Sequence, residues 1–351
     1  MRALMTHAYP LSLRSCALLT ALASVGCGAD FDPQYKIQSL RVLGVQKDKS
    51  YPNPGDQVNL SLLWFDGSDA APRPVQVAWF SGCFNPPGDL YYGCYEALGK
   101  GLAAIGQGRP PPPGFATGVG ERFSYRVPSD IISSHPPSKD KDAVPYGMSI
   151  VFFAVCAGEL RPAPKDQQFP LGCFDGDRQL GSDGFVAGYT STYVYEDLSN
   201  ANPVITGFEF DNKVVFPDCI GDACVDDPAP PSDACGEGLA CVDACPADGD
   251  KDDCPGIQIR PLISSSVAEK DSVAAASEGR DVTEQMWINY YVQAGGLKSE
   301  VRLLNDANQG FNSDYGTEFF APKASGDIKL WAVAHDNRGG TEWTRVTVRV
   351  R

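Results

Sequence analysis

The sequence predicts an all-β protein of two immunoglobulin-like β-sandwich domains, the second of which carries a disulfide-rich, irregular acidic insert. Three observations support this prediction. Glycine and proline are frequent, at 36 and 28 of 351 residues. Apolar segments of helical period are rare, and short alternating segments are separated by turn residues. The chain is also long enough to hold two domains of ordinary size.

The N-terminus has the features of a secretory signal. A basic start at Met1-Arg2 and Arg14 precedes a short apolar segment that runs from Cys16 to Cys27. This segment is too short to cross a bilayer as a permanent helix. We therefore expect residues 1–26 to be a signal peptide, residues 27–35 to be a short tether and the mature chain to be exported.

The end of the signal, Ser24-Val25-Gly26-Cys27, resembles the lipobox of bacterial lipoproteins, although Ser24 stands where that family usually has leucine. The resemblance implies that Cys27 is lipidated and becomes the first residue of the mature protein. Such an anchor holds a membrane far more firmly than a single acyl chain does. It implies an outer membrane lipoprotein of the cell envelope, facing the periplasm or the surface. Ordinary cleavage and release, with Cys27 free or paired, is the alternative.

Residues 36–198 are predicted to form the first sandwich. Strands are expected at 37–45 and 74–80, and apolar side chains alternate from Val58 to Trp64, as in a half-buried strand. The segment from Met148 to Cys156 is apolar on both faces, as in a central strand. A last strand at 185–195 closes the domain.

The opening motif, Leu40-Arg-Val-Leu-Gly-Val45 followed by Pro54-Gly-Asp-Gln-Val-Asn-Leu60, resembles the Ig-like first domains of predicted lipoproteins from myxobacteria and related Gram-negative bacteria. The resemblance spans residues 37–100 and implies no activity. In residues 199–351, the predicted second sandwich, the closing hairpin from Ile328 to Arg351 resembles the last two strands of PKD-like and other Ig-like bacterial surface domains. There Val346, Val348 and Val350 are expected on one side of the strand, with Arg345, Thr347 and Arg349 on the other.

The charge of the chain is concentrated in the insert, residues 217–255. The net charge is −15, and the segment from Asp211 to Cys254 contributes ten of these charges through eleven aspartates and one glutamate against two lysines. This segment has too few apolar side chains to fold alone, so covalent bonds or ions must hold it. The acidic balance and the absence of a dense Lys/Arg cluster argue against a nucleic-acid partner.

Ten cysteines remain once Cys16 leaves with the signal and Cys27 is assigned to lipid. An even set in an exported chain favours five disulfides. Nearest-neighbour pairing, Cys83 with Cys94 and Cys156 with Cys173, is the simplest arrangement for the first four. The remaining six allow fifteen pairings, among which the sequence does not choose: Cys219, Cys224, Cys235, Cys241, Cys245 and Cys254.

Carboxylates at alternate positions near the end of the insert point to a weak Ca²⁺ site. Asp248, Asp250, Asp252 and Asp253 can turn several oxygens toward one hard cation. The segment is similar to fragments of thrombospondin type-3 calcium repeats, but Asp253 replaces the glycine of that pattern. Ile259 stands where an EF-hand loop would have its glutamate. A merely solvated acidic loop is the alternative.

The loop between Cys83 and Cys94 supplies the best candidate contact surface. Tyr91, Tyr92 and Tyr95 in and beside it could stack on a sugar or anchor a protein. The alternative is that these rings pack over the end of the sandwich.

Catalytic motifs are missing from the sequence, and His135 and His335 sit in none. The expected function is therefore a non-catalytic, membrane-anchored interaction or adhesion module. Its partner would be another envelope protein or a glycan. The alternative is a carbohydrate-processing enzyme or accessory protein that uses loop carboxylates such as Asp314 and Glu318.

Overall fold

The structure is a computed structural model that describes residues 33–139, 143–164, 167, 169–230, 235–246 and 254–351. Most of the regular structure is β-strand, and it forms two Ig-like sandwiches, as the sequence predicts. Among these described residues, no helix combines the length and the apolar character that crossing a bilayer requires.

The first sandwich consists of two antiparallel sheets packed face to face, the immunoglobulin-like arrangement. The order across the smaller sheet is β1 (Leu40–Lys47), β2 (Gln57–Asp66) and β5 (Arg122–Arg126). The order across the larger sheet is β10 (Phe185–Val194), β6 (Gly147–Cys156), β3 (Gln76–Phe84) and β4 (Thr117–Val119).

Trp79 of β3 is at the centre of the first core. Its ring stacks on Phe123 and meets the edge of Phe153, with both centroids 5.8 Å away. The indole N–H donates to the carbonyl of Gly120 at 2.8 Å, so its buried donor is satisfied. The predicted alternation in β2 is correct, because Val58, Leu60 and Leu62 are fully buried in the same core.

The outer face of the larger sheet is covered by elements that the sequence analysis did not predict. Helix α1 (Tyr95–Gly106) packs Leu98 over the sheet. A side chain at Gly101 would collide with the ring of Phe115, its Cβ lying 2.3 Å away. A small sheet completes this side: β7 (Glu159–Pro162), β8 (Leu171–Asp175) and β9 (Arg178–Gln179). The short helix α2 (Ile131–Ser134) instead packs Ile131 into the core between the two sheets.

The second sandwich repeats the two-sheet plan, and its core includes Tyr290, whose hydroxyl donates to the carbonyl of Tyr315 at 2.8 Å. One sheet has the order β12 (Lys213–Val215), β11 (Ile205–Phe210), β15 (Ile257–Ile263), β20 (Thr317–Phe320) and β17 (Gly296–Leu297). The other has the order β22 (Thr341–Val350), β21 (Gly326–Asp336), β16 (Met286–Val292), β18 (Val301–Asp306) and β19 (Gly310–Phe311). Helix α3 (Ser272–Glu278) connects β15 to β16.

The insert is hydrogen-bonded to the free edge of β22. Strand β13 (Cys219–Ile220) pairs with it antiparallel, and β14 (Ala240–Val242) pairs with it in parallel. A 3-10 turn, Gly221–Cys224, follows β13. The five disulfides within the described residues each join nearest-neighbour cysteines, and those in the insert are Cys219–Cys224, Cys235–Cys241 and Cys245–Cys254.

The two sandwiches meet through an apolar junction. Leu63 and Phe65, which face away from the first core, pack with Trp331 and Trp343 of the second sandwich. The rings of Phe65 and Trp331 are 4.8 Å apart. The side of β2 that alternation predicts to be outward is therefore partly an interface.

The last strand has both faces covered. Arg345 lies on the side of β22 opposite Val346, as the alternation predicts, yet its side chain is only 3% exposed. The insert covers this face, and Asp218 at its start supplies the compensating carboxylate. An alternating pattern separates the apolar face of a strand from its polar face, but it does not predict whether another part of the chain buries the polar face.

Candidate functional site

The loop between Cys83 and Cys94 is closed by a disulfide whose Cα atoms are 5.5 Å apart. Two 3-10 turns follow each other within it, Pro87–Asp89 and Tyr91–Cys94. The reversal between them uses positive φ at Gly88 and Asp89, 65° and 58°. Glycine adopts this region freely, and aspartate tolerates it better than most residues. The loop thereby brings tyrosine side chains against β10.

Four tyrosine rings form what we call the tyrosine platform: Tyr91, Tyr92, Tyr95 and Tyr189. Tyr91 stacks on Tyr189 of β10, with centroids 4.5 Å apart and an angle of 17° between the planes. Tyr92 and Tyr95 meet Tyr91 edge to face at 5.8 and 6.0 Å. The structure thus brings the three tyrosines singled out in the sequence together.

The platform is partly support and partly open surface. Tyr95 is half-buried against Phe152, with centroids 6.0 Å apart, and burial raises the pKa of its phenol. Tyr92 and Tyr189 are 57% and 45% exposed, and Leu90 beside them is also exposed. Tyr95 therefore packs against the sandwich, as the alternative interpretation of the loop expects. The rings of Tyr91, Tyr92 and Tyr189 leave an aromatic surface open to solvent.

A polar network adjoins the platform at Asp89. Its carboxylate accepts a hydrogen bond from the Tyr146 hydroxyl at 2.5 Å and lies 3.0 Å from Nε2 of His135. The other ring nitrogen of His135 faces the Pro136 carbonyl at 2.9 Å. Burial, followed by the bond to Asp89, raises the pKa of Tyr146. Both oxygens of the Asp89 carboxylate thus have protein partners.

Sequence reasoning missed Tyr189, although a signal for it was present. Tyr189 and Tyr193 occupy outward positions of β10, where alternation would place polar residues, and both are more than a third exposed. Large aromatic side chains on the open face of a strand often mark a contact surface.

The acidic residues at the start of the insert are paired with cations from both sandwiches. Arg122 of β5 contacts Asp222 with Nε at 3.1 Å and Asp226 with Nη1 at 2.7 Å. In the second sandwich, Arg345 contacts Asp218, and Lys329 contacts Asp227 at 2.8 Å. This part of the insert is therefore not a freely solvated acidic loop. It forms a bridge of ion pairs between the sandwiches.

The predicted calcium ligands, Asp248, Asp250, Asp252 and Asp253, lie outside the described residues, as does Cys27. Within the ranges that are described, no group of three or more His, Cys, Asp or Glu side chains is placed to hold a metal ion. The weak calcium site and the lipid anchor both stay predictions.

The carboxylates of the enzyme alternative are not gathered in one site. Asp314 pairs with Arg302 at 2.8 Å, while Glu318 pairs with Lys298 at 2.5 Å. Asp314 lines a cavity of 120 Å³ to which Glu318 does not contribute. His335 is half-buried and stacked on Trp287, and desolvation lowers its pKa to about 4. It is therefore neutral near pH 7, with its ring packed against Trp287.

No protein-family model matches the chain, and no curated protein matches it either. Solved structures with similar architecture include the tandem Ig repeats of Dlar, at 9% identity and a TM-score of 0.20, over 90% of this chain and 98% of that one. The chicken CNTN1 FN1-FN3 domains match at 10% identity and a TM-score of 0.18, over 90% and 68% of the two chains. At such values these likenesses carry no argument about function, and the fold assignment rests on the strand order.

Proposed function

We propose that the protein is a non-catalytic interaction module of the cell envelope, held on the membrane by a lipid at Cys27, and that the tyrosine platform is its contact surface for another protein. The observation that carries this proposal is the exposed stack of Tyr91 on Tyr189, with Tyr92 beside it. Tyrosines combine a large apolar area with few rotatable bonds, which suits them to interface centres.

The side chains of the tyrosine platform are already fixed in the absence of a partner. Tyr91 is fixed by its stack on a strand residue, and the Cys83–Cys94 disulfide closes the loop that carries it. Because these side chains lose little freedom on binding, the entropy cost of the contact is reduced. This supports a site for recognition over a loop that merely covers the sheet.

The platform favours a protein partner over a glycan. Sugar hydroxyls need nearby acceptors, and the carboxylate beside the platform, Asp89, is already engaged by Tyr146 and His135. Exposed phenol rings with an adjacent aliphatic residue, Leu90, match the apolar centre and polar fringe of a protein interface.

The experiment compares envelope proteins cross-linked to three anchored forms of the chain: wild type, Tyr92→Ala/Tyr189→Ala and Phe216→Ala. Phe216 is a suitable control because it is 63% exposed and belongs to the second sandwich. We expect one set of partners to fall about tenfold or more in the platform variant alone. Equal capture of proteins by all three forms contradicts the proposal. If the platform variant instead loses binding to a glycan array and captures the same proteins as wild type, the partner is a sugar.

A further inference from the structure

A cleft between the two sandwiches runs along the second half of β2. Its volume is 430 Å³, and consecutive residues from Leu62 to Ser68 line one wall. The opposite wall belongs to the second sandwich and the insert, with Trp331, Lys329 and Val225. A wall made of consecutive residues is the edge of a strand, since a strand face would contribute only alternate side chains.

Beyond Leu62, this edge of β2 is not paired with another strand of the described residues. β5 pairs with β2 only from Gln57 to Ser61, and the last hydrogen bond on that side is from Leu62 N–H to the Glu121 carbonyl at 2.9 Å. Beyond it the chain of β5 diverges to β4, which pairs with β3 in the other sheet. Among the strands of the described residues, none pairs with the stretch from Leu63 to Asp66 on this side.

The register of β1 and β2 shows which backbone groups face the cleft. Gly67 N–H donates to the Ser39 carbonyl at 3.2 Å, which makes the next pair, Asp66 with Leu40, a non-hydrogen-bonded pair of the ladder. Hydrogen-bonded and non-hydrogen-bonded pairs alternate, so Trp64 with Val42, two positions along, is also a non-hydrogen-bonded pair. The N–H and C=O groups of Trp64 and Asp66 therefore point away from β1, toward the cleft.

The cleft walls are apolar and their charges are already matched. Phe65 and Trp331 supply aromatic surface. Lys329 pairs with Asp227 at 2.8 Å, and Arg73 pairs with Asp66 at 2.6 Å. Because each charged group at the cleft has an opposite charge beside it, the walls give no net attraction to a charged ligand. They suit an uncharged, apolar occupant.

We propose that this cleft accepts an extended, uncharged apolar segment of a partner protein, which adds to β2 as a further strand. Four residues of β2 carry the free edge, a length of about 13 Å. Backbone hydrogen bonds to Trp64 and Asp66 would hold the segment, while its alternate side chains pack on Phe65 and Trp331, as in other cases of strand addition. This site is separate from the tyrosine platform and does not depend on the role proposed there.

The test measures amide hydrogen exchange at single residues of the mature protein, with the peptide acetyl-Val-Thr-Val-Thr-Val-amide as the probe. Without peptide, the amides of Trp64 and Asp66 should exchange faster than that of Phe65, which faces β1. With millimolar peptide they should slow by about fivefold or more. The matched control is the same peptide with every backbone nitrogen methylated, which retains the side chains but cannot donate to β2.

Two protein variants sharpen the result. Val225→Arg places a long charged side chain in the cleft and should abolish the protection, whereas Val204→Arg, at a position that is 58% exposed and outside the cleft, should leave it unchanged. No protection by the unmethylated peptide overturns the proposal. Equal protection by the methylated peptide also overturns it, because the cleft would then hold side chains without adding a strand.

Discussion

Arg345 of the last strand and Asp218 of the insert form a buried ion pair, with Nε 2.9 Å from Oδ2 and side-chain exposures of only 3% and 1%. The same carboxylate accepts the backbone N–H of Thr347 at 3.1 Å and its hydroxyl at 2.7 Å. Asp218 thus fixes the insert to β22 through three donors, and its charge is compensated where water cannot reach it.

Replacing Arg345 with methionine should lower the free energy of unfolding by about 3–5 kcal/mol, because it leaves the charge of Asp218 buried and unpaired. The double variant Arg345→Met/Asp218→Asn should recover part of this loss. Arg349→Met is the control, since Arg349 pairs across the strands with the half-exposed Asp327, and its loss should cost about 1 kcal/mol or less. Urea unfolding measures all three, and a cost for Arg345→Met no larger than the control would contradict the burial of the pair.

The pH dependence of stability should contain a contribution from Glu342. Burial, with the nearby charge of Asp222, raises the pKa of Glu342 to about 7 from 4.5. The folded protein therefore holds a proton that the unfolded chain releases. The stabilisation is complete below pH 4.5 and is lost as the pH rises to 7, by about 3 kcal/mol at most.

Glu342→Gln keeps the shape and removes the titration. The difference in unfolding free energy between this variant and wild type should grow in favour of the variant from pH 5 to pH 8. Glu318→Gln, which removes a carboxylate paired with Lys298 at the surface, controls for loss of a charge. A constant difference across this range would show that Glu342 does not titrate there.

Lipidation predicts that Cys27→Ser releases the protein from the membrane fraction. The variant lacks the thiol to which the lipid would attach, so no acyl chain can hold position 27 in the bilayer. Fractionation with metabolic labelling by a fatty acid measures the outcome. Cys16→Ser, inside the predicted signal, is the control and should leave labelling unchanged. Full membrane retention of unlabelled Cys27→Ser protein would exclude this anchor.

Calcium should bind weakly at the end of the insert, in the range of about 0.1–1 mM that extracellular modules commonly show. Calorimetric titration of the mature protein should give heat that Asp250→Asn/Asp252→Asn abolishes. Asp222→Asn/Asp226→Asn, which removes carboxylates paired with Arg122, should retain the heat. Flat titrations of wild type would leave the solvated acidic loop as the correct interpretation.

The sequence pattern predicted which side of β2 and of β22 faces the core. It did not predict which other parts of the chain pack on these strands. The alternation from Val58 to Trp64 gave the orientation of β2, and the three valines of β22 gave its buried side. The burial of Arg345 could not be inferred, because it depends on a carboxylate far away in the chain. Pairing over such distances leaves no periodic trace in the sequence.

The helices were missed for different reasons. α1 contains three glycines within Tyr95–Gly106 and has no side-chain cap, so its sequence lacks the usual signals. α3 does carry them. Asp271 caps its first turn by accepting from Ala274 N–H, and Gly279 ends it in the left-handed region. Those two residues would have identified α3 from the sequence alone.

The attachment of the insert to β22 also imposes an order on folding. Asp218 and Arg345 are separated by 127 positions, and Trp343 donates to the Gly221 carbonyl across 122. The Cys219–Cys224 disulfide, by contrast, closes over five positions and needs no distant part of the chain to form. Contacts between distant residues form slowly, because the loop that joins them must close first. A nascent chain that has not yet delivered Trp343 and Arg345 therefore leaves the acidic segment without its contacts to β22, held only by its local disulfides and by Arg122, and more vulnerable to proteases and to mispaired cysteines.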